Sequence, residues 1–166
     1  MKPDGLESHC ATAICDVPAQ QALAFLADGL ALGHWALGSW ATQPVGNGVV
    51  RGTSLFDDQP TFVRPVADAA RMAVDYHVGS HPDALTPRIS AMVEPLAALD
   101  AGTGRCRISL HATRAAGMDD ARWLRLTRCH EVEVLLIQAR LALTGPGQAA
   151  PSSYERSLET TPGVTP

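Results

Sequence analysis

Between residues 105 and 113, apolar and polar positions alternate without a break: Cys106, Ile108, Leu110 and Ala112 oppose Arg107, Ser109, His111 and Thr113. Successive side chains on a strand point to opposite faces, so this period of two predicts a half-buried antiparallel strand. Residues 70–78 repeat the pattern, with Met72, Val74, Tyr76 and Val78 set against Arg71, Ala73, Asp75 and His77. Residues 88–94 carry Ile89, Ala91 and Val93 on one side. Three more stretches, 9–17, 49–56 and 61–66, have strand composition. Gly46-Asn47-Gly48 signals a turn before the second of these, and Asp57-Asp58-Gln59-Pro60 turns it back into the third as a hairpin. Pro65 puts the end of that third strand near a sheet edge, because proline cannot donate to a ladder.

Helical signals interrupt this pattern twice. Asp16 can cap and Pro18 suits a first helical turn, which predicts a helix over 18–27 with Leu23, Leu26 and Leu30 along its apolar side. Gly29 and Gly33 break the run into two short helices, the second ending around His34-Trp35, before a loop that carries Trp40. The longest element comes last. Asp119-Asp120 supplies negative charge at a helix start, and Gly145-Pro146-Gly147 stops the pattern after Leu143. At ~100° per residue, Trp123, Leu126, His130, Val134, Ile137 and Leu141 form one stripe, with Leu124, Cys129, Val132, Leu135, Leu136 and Leu143 widening it. So wide an apolar surface predicts an enclosed helix, and it leaves Glu131 and Glu133 off the stripe. The fold class is therefore α+β, with six or seven strands pairing as an antiparallel meander.

At 166 residues the chain is long enough for one domain with a real core. Its 46% hydrophobic and 18% charged composition is that of a globular protein. The net charge is −4, and positive charge comes only from Lys2 and scattered arginines. Nucleic acid and anionic membrane surfaces need clustered cations, so neither is expected as a partner. There is no signal-like apolar run at the N-terminus and no stretch of roughly 20 apolar residues, which predicts a cytoplasmic protein without membrane insertion. Cys10, Cys15, Cys106 and Cys129 form no C-x-x-C pair and are read as reduced thiols. Residues 145–166, rich in Pro, Gly, Ser and Thr, are read as a flexible tail on a domain spanning 1–144.

Strand, two short helices, a run of antiparallel strands and a long C-terminal helix is an order that resembles the START-like or SRPBCC superfamily. Asp16-Val17-Pro18-Ala19, Leu32-Gly33-His34-Trp35 and Gly48-Val49-Val50-Arg51-Gly52 resemble that family's local features, and the likeness covers roughly residues 8–143. The resemblance implies a helix-grip fold in which a curved sheet wraps the long helix and leaves a ligand cavity between them. It also implies that Trp35 and Trp40 stand where the cavity mouth closes.

His130 is the most informative candidate, because an imidazole centred on an apolar stripe needs a partner in the protein or in a ligand. Tyr76 shares a strand face with Met72 and Val74, and its hydroxyl could meet His130 or a ligand oxygen; a core tyrosine is the simpler alternative. Trp123, Val134 and Ile137 would supply apolar walls, and Arg51, beside Thr53 on one strand face, could anchor an acidic group. His77 and His81 lack a third ligand nearby, so no metal site is assigned, and no cofactor is expected. Asp57-Asp58 is read as a turn only. No nucleophile elbow, phosphate loop, dinucleotide fingerprint or zinc-protease sequence occurs. The leading expectation is binding of a small hydrophobic or aromatic molecule. The alternatives are an enzyme of the polyketide cyclase, dehydratase or hydrolase type with His130 as acid or base, and a protein-interaction module. Self-association as a homodimer stays open.

Overall fold

A computed structural model describes residues 6–96 and 104–144. Seven antiparallel strands form one sheet: β1 (Ser8–Cys15), β2 (Trp40–Gly46), β3 (Val49–Thr53), β4 (Pro60–Asp68), β5 (Ala73–Gly79), β6 (Thr86–Leu96) and β7 (Arg105–Thr113). Their order across the sheet is β1-β7-β6-β5-β4-β3-β2, so the chain meanders from β2 to β7 and the first strand closes the far edge. Two short helices, α1 (Ala19–Ala27) and α2 (Gly29–Leu32), join β1 to β2, and α3 (Asp120–Leu143) follows β7. The tail expected over 145–166 lies outside the described residues.

The alternation over 105–113 is a strand with those bounds, and Cys106, Ile108, Leu110 and Ala112 are all buried. The Gly46-Asn47-Gly48 turn adopts positive φ at all three residues, the conformation a tight hairpin needs. Cys10 is exposed and Cys15 buried, as their odd spacing on one strand requires. Asp119 caps α3, its carboxylate accepting from the Arg122 amide at 2.7 Å. Beneath the C-terminal half of α3, β1 presents the small side chains Ala11, Ala13 and Cys15, which let the helix sit close, while His9 on the same face meets His130 with ring centroids 6.3 Å apart. Val134, Ile137 and Leu141 fill that contact, and Gln138 Nε2 donates to the Ile14 carbonyl at 2.7 Å.

Five expectations need correction. The segment carrying Trp40, read as a loop, is an edge strand; Gln43 and Pro44 hid it, and an edge tolerates such a proline. The strand expected from residue 70 begins at Ala73, because Met72 turns the chain with φ of 50°. The strand carrying Pro65 runs on to Asp68; β3 stops pairing at Val63, so Pro65 does lie on a stretch without a neighbour on that side. Pro18 is itself the residue preceding α1, and Asp16 pairs with Arg105 instead of capping. Finally, α3 is not enclosed: Leu124, Val132, Leu135 and Leu143 are exposed, because the sheet meets only one side of the helix.

The two sides of α3 should respond differently to truncation. Ile137→Ala removes a fully buried side chain and should cost about 2–5 kcal/mol in urea unfolding. Leu135→Ala, on the outer side, should stay within about 0.5 kcal/mol of the parent. Equal losses would contradict the observed packing of the helix.

Candidate functional site

Because α3 lies over β1 and only touches β7, it leaves much of the inner sheet face uncovered. Helices α1 and α2 cover part of that face. The remainder is an open cavity of about 680 Å³, within the roughly 300–1,000 Å³ typical of small-molecule sites. Its inner walls include Leu32, Trp35, Val63, Tyr76, Ile89 and Leu126, and they are predominantly apolar.

A few polar groups interrupt these walls. His130 and Glu133 stand one turn apart on α3, both buried, with His130 Nε2 and Glu133 Oε2 4.0 Å apart, too far for a hydrogen bond. Glu133 Oε1 accepts from the Leu37 amide at 2.8 Å, which ties the segment between α2 and β2 to the helix. His130 Nδ1, Trp35 Nε1 and Ser39 Oγ are buried with no hydrogen-bond partner in the protein, and all three residues line the cavity. Ser39 lies against Gly52, where any Cβ would come within 2.7 Å of the Ser39 carbonyl carbon, so a glycine is needed there to hold the loop at the cavity wall.

Burial sets the protonation of the pair. Desolvation, with a smaller contribution from the neighbouring His9, pushes His130 down to about 4, so its imidazole is neutral near pH 7. Desolvation pushes Glu133 up to about 7, opposed by the Leu37 amide bond, so its carboxyl titrates near neutrality. The Tyr76 hydroxyl donates to the Leu26 carbonyl at 2.8 Å, and burial followed by the Glu133 charge holds its pKa well above the usual phenol value.

The structure brings three of the sequence-predicted residues, His130, Tyr76 and Trp35, to the cavity. Tyr76 contributes its ring, packed edge-on against Trp35 with centroids 5.8 Å apart, while its hydroxyl is committed to Leu26 and does not meet His130. The other expected residues lie elsewhere. Val134 and Ile137 are core against β1, because the C-terminal half of α3 leans on that strand. Val74 is fully buried in the sheet core, and Met72 is half-buried at the bend before β5. Trp40 is half-buried on edge strand β2, Trp123 is half-buried near the start of α3, and Arg51 is exposed; none of the three lines the cavity. Glu133 was the main omission. It was set off the stripe, yet it follows His130 by three residues and precedes Ile137 by four, which places it between two buried positions. Among the described residues, no three His, Cys, Asp or Glu side chains gather as a metal site.

The architecture is a helix-grip fold, a curved antiparallel sheet with a long C-terminal helix, and it is shared with solved structures. The Zhui aromatase/cyclase of Streptomyces sp. R1128 superposes with a TM-score of 0.57 at 19% identity, over 86% of this chain and 98% of that one. The di-domain ARO/CYC BexL gives 0.57 at 21% identity, over 85% of this chain and 48% of BexL, so this chain spans about half of that protein. A conserved protein from Geobacillus kaustophilus gives 0.54 at 7% identity, over 83% and 97% of the two chains. At these identities the likeness is one of fold. No protein-family model matches the sequence, and a search of curated proteins finds no relative. No helix among the described residues is long and apolar enough to cross a membrane.

The paired shifts of His130 and Glu133 fix the pH dependence of stability. Glu133 binds its proton more tightly folded than unfolded, so its contribution is full below 4.5 and is lost as pH rises through about 7. His130 behaves oppositely: its contribution is present above 6.5 and is lost as pH falls through about 4. The slopes cancel between 4.5 and 6.5, leaving a plateau with a fall on the alkaline side. Glu133→Gln keeps an acceptor for Leu37 and removes the charge. It should abolish the fall between 6.5 and 7, on the order of 0.7 kcal/mol, and turn the plateau into a rise of about 3 kcal/mol between 4 and 6.5 that His130 alone produces, in thermal unfolding measured across that range. An unchanged alkaline fall in the variant would show that the Glu133 carboxyl is not its source.

Proposed function

We propose that the domain binds a small, mostly apolar and aromatic molecule bearing oxygen functions, held in the cavity between the sheet and α3. One observation carries this reading. His130 Nδ1, Trp35 Nε1 and Ser39 Oγ, from three separate places in the chain, are buried without protein partners, and all three belong to residues that line one apolar cavity. Leaving such atoms desolvated and unpaired costs about 1–3 kcal/mol each, which a ligand with matching groups would recover. The indole N–H donates, the serine hydroxyl donates or accepts, and neutral imidazole offers one of each, a set suited to carbonyl and hydroxyl oxygens. The flat faces of Trp35 and Tyr76 favour an aromatic body.

A second reading, catalysis in the same cavity, has its own support. His130 is a neutral base near pH 7, and Glu133 beside it is an acid poised to give up its proton there. Environments that push two titratable groups apart in this way are how acid and base roles are divided in enzymes. Bound beside them, a β-hydroxy ketone could lose its α-proton to His130 while Glu133 protonates the departing hydroxyl, releasing water and forming the conjugated product. Zhui and BexL, which share the fold, are aromatase/cyclases. The cavity favours both readings over an interaction module, which would need no concave site of this volume.

His130→Ala separates them. Under binding alone, calorimetric affinity for a hydroxylated naphthalene should fall roughly tenfold while naphthalene itself is little affected. Under catalysis, dehydration of a bound β-hydroxy ketone should fall by about 10²–10⁴. If the hydroxylated and plain arenes bind alike to both proteins, the unpaired polar atoms are not ligand contacts and the proposal fails.

A further inference from the structure

The cavity opens to solvent where the N-terminal half of α3 faces β6 and the turn between β3 and β4. Its exposed lining there includes Arg122 and Arg125 from α3, Arg88 from β6, and Phe56, Asp57 and Gln59 from the turn. Elsewhere among the described residues, Arg71, Arg105, Arg107, Arg114 and Arg128 each pair with a carboxylate, while Arg51, Arg64 and Arg140 form no such pair but do not line the cavity. The three mouth arginines pair with none. Arg88 Nε donates to Thr86 Oγ1 at 3.4 Å, and the Arg125 guanidinium lies 5.0 Å over the Phe56 ring. Asp57, the one carboxylate at the mouth, accepts from the Gln59 amide at 3.2 Å, and the Arg125 charge acts on it without a close ion pair. Three cations against one anion gather at the opening of a cavity in a chain whose net charge is −4.

We propose that the ligand carries an anionic group, a carboxylate, sulfonate or phosphate on the small molecule itself, held at the mouth by Arg88, Arg122 and Arg125 while its apolar body lies inside. The inference rests on the cavity being a binding site and adds the polarity of what enters. Guanidinium groups suit such anions because their planar N–H pairs match two oxygens at once. Placement also sets orientation: an anion fixed at the rim sends the opposite end of the molecule toward His130, Glu133 and Trp35. Each exposed pairing is weak, so the preference comes from several cations acting together and should be screened by salt.

Two fluorescent probes with nearly the same aromatic frame test this. Anilinonaphthalene sulfonate carries the anion, and N-phenylnaphthylamine lacks it. The sulfonate should bind the native chain roughly tenfold more tightly at low ionic strength, and the ratio should shrink as salt is added. Arg122→Gln with Arg125→Gln should bring the ratio close to one, and Asp57→Asn, which removes the opposing charge, should raise it. Equal affinities in the native chain, or a ratio unmoved by the arginine and Asp57 changes, would overturn the anionic-ligand proposal while leaving the cavity reading intact. Failure of both probes to bind would overturn the cavity reading and this proposal with it.

Discussion

The contact between α3 and β1 decides where everything else can go. A helix can approach a strand closely only where side chains are small, and β1 offers Ala11, Ala13 and Cys15 under Val134, Ile137 and Leu141. Because β1 is an edge strand, this seat holds the helix at one margin of the sheet. The inner faces of β4, β5 and β6 are then too far away for α3 to cover. They are curved, apolar and only partly roofed by α1 and α2. The open space is thus a consequence of where the helix is anchored.

Polar chemistry appears along the same helix where its packing changes. Past His130 the helix is packed on β1; before it, Arg122, Arg125, Leu126 and Cys129 face the cavity. His130 and Glu133 stand at the junction, buried enough for desolvation to dominate both groups yet bordering open space. The Leu37 amide holds one oxygen of Glu133 and leaves the other turned toward His130. The carboxyl therefore both braces a loop and borders the cavity, and burial that raises its proton affinity also makes its charge costly to the fold.

Strands with strict alternation were legible because their signal is local. The strand over 105–113 needed nothing beyond its own residues, and the helix start at Asp119-Asp120 needed only the run that follows it. The edge strand from Trp40 was not legible, because it owes its existence to pairing with β3 and contains a proline that argues against it. The outer side of α3 misled for a related reason. Leu124, Leu135 and Leu143 look like core by composition, and only the position of the sheet shows that nothing described covers them. Among site residues, His130 stood out as a polar group on an apolar stripe. Ser39, Arg88 and the arginines of α3 did not, since convergence of distant segments leaves no mark in any one of them.

The misplacement of Glu133 shows what a single stripe cannot represent. A helix wheel assumes one buried direction along the whole helix, and α3 has two. Toward its C-terminus the buried direction points at β1 and selects Val134, Ile137 and Leu141; toward its N-terminus it points into the cavity and selects Leu126, Cys129 and Glu133. His130 satisfies both, which is why it fell at the centre of the average stripe. Glu133 satisfies the second direction and is reached by the loop at Leu37 from outside the first. A carboxylate next to a buried histidine, three residues along the same helix, is thus better judged by whether any neighbouring segment can supply an amide to it than by its angle on the wheel.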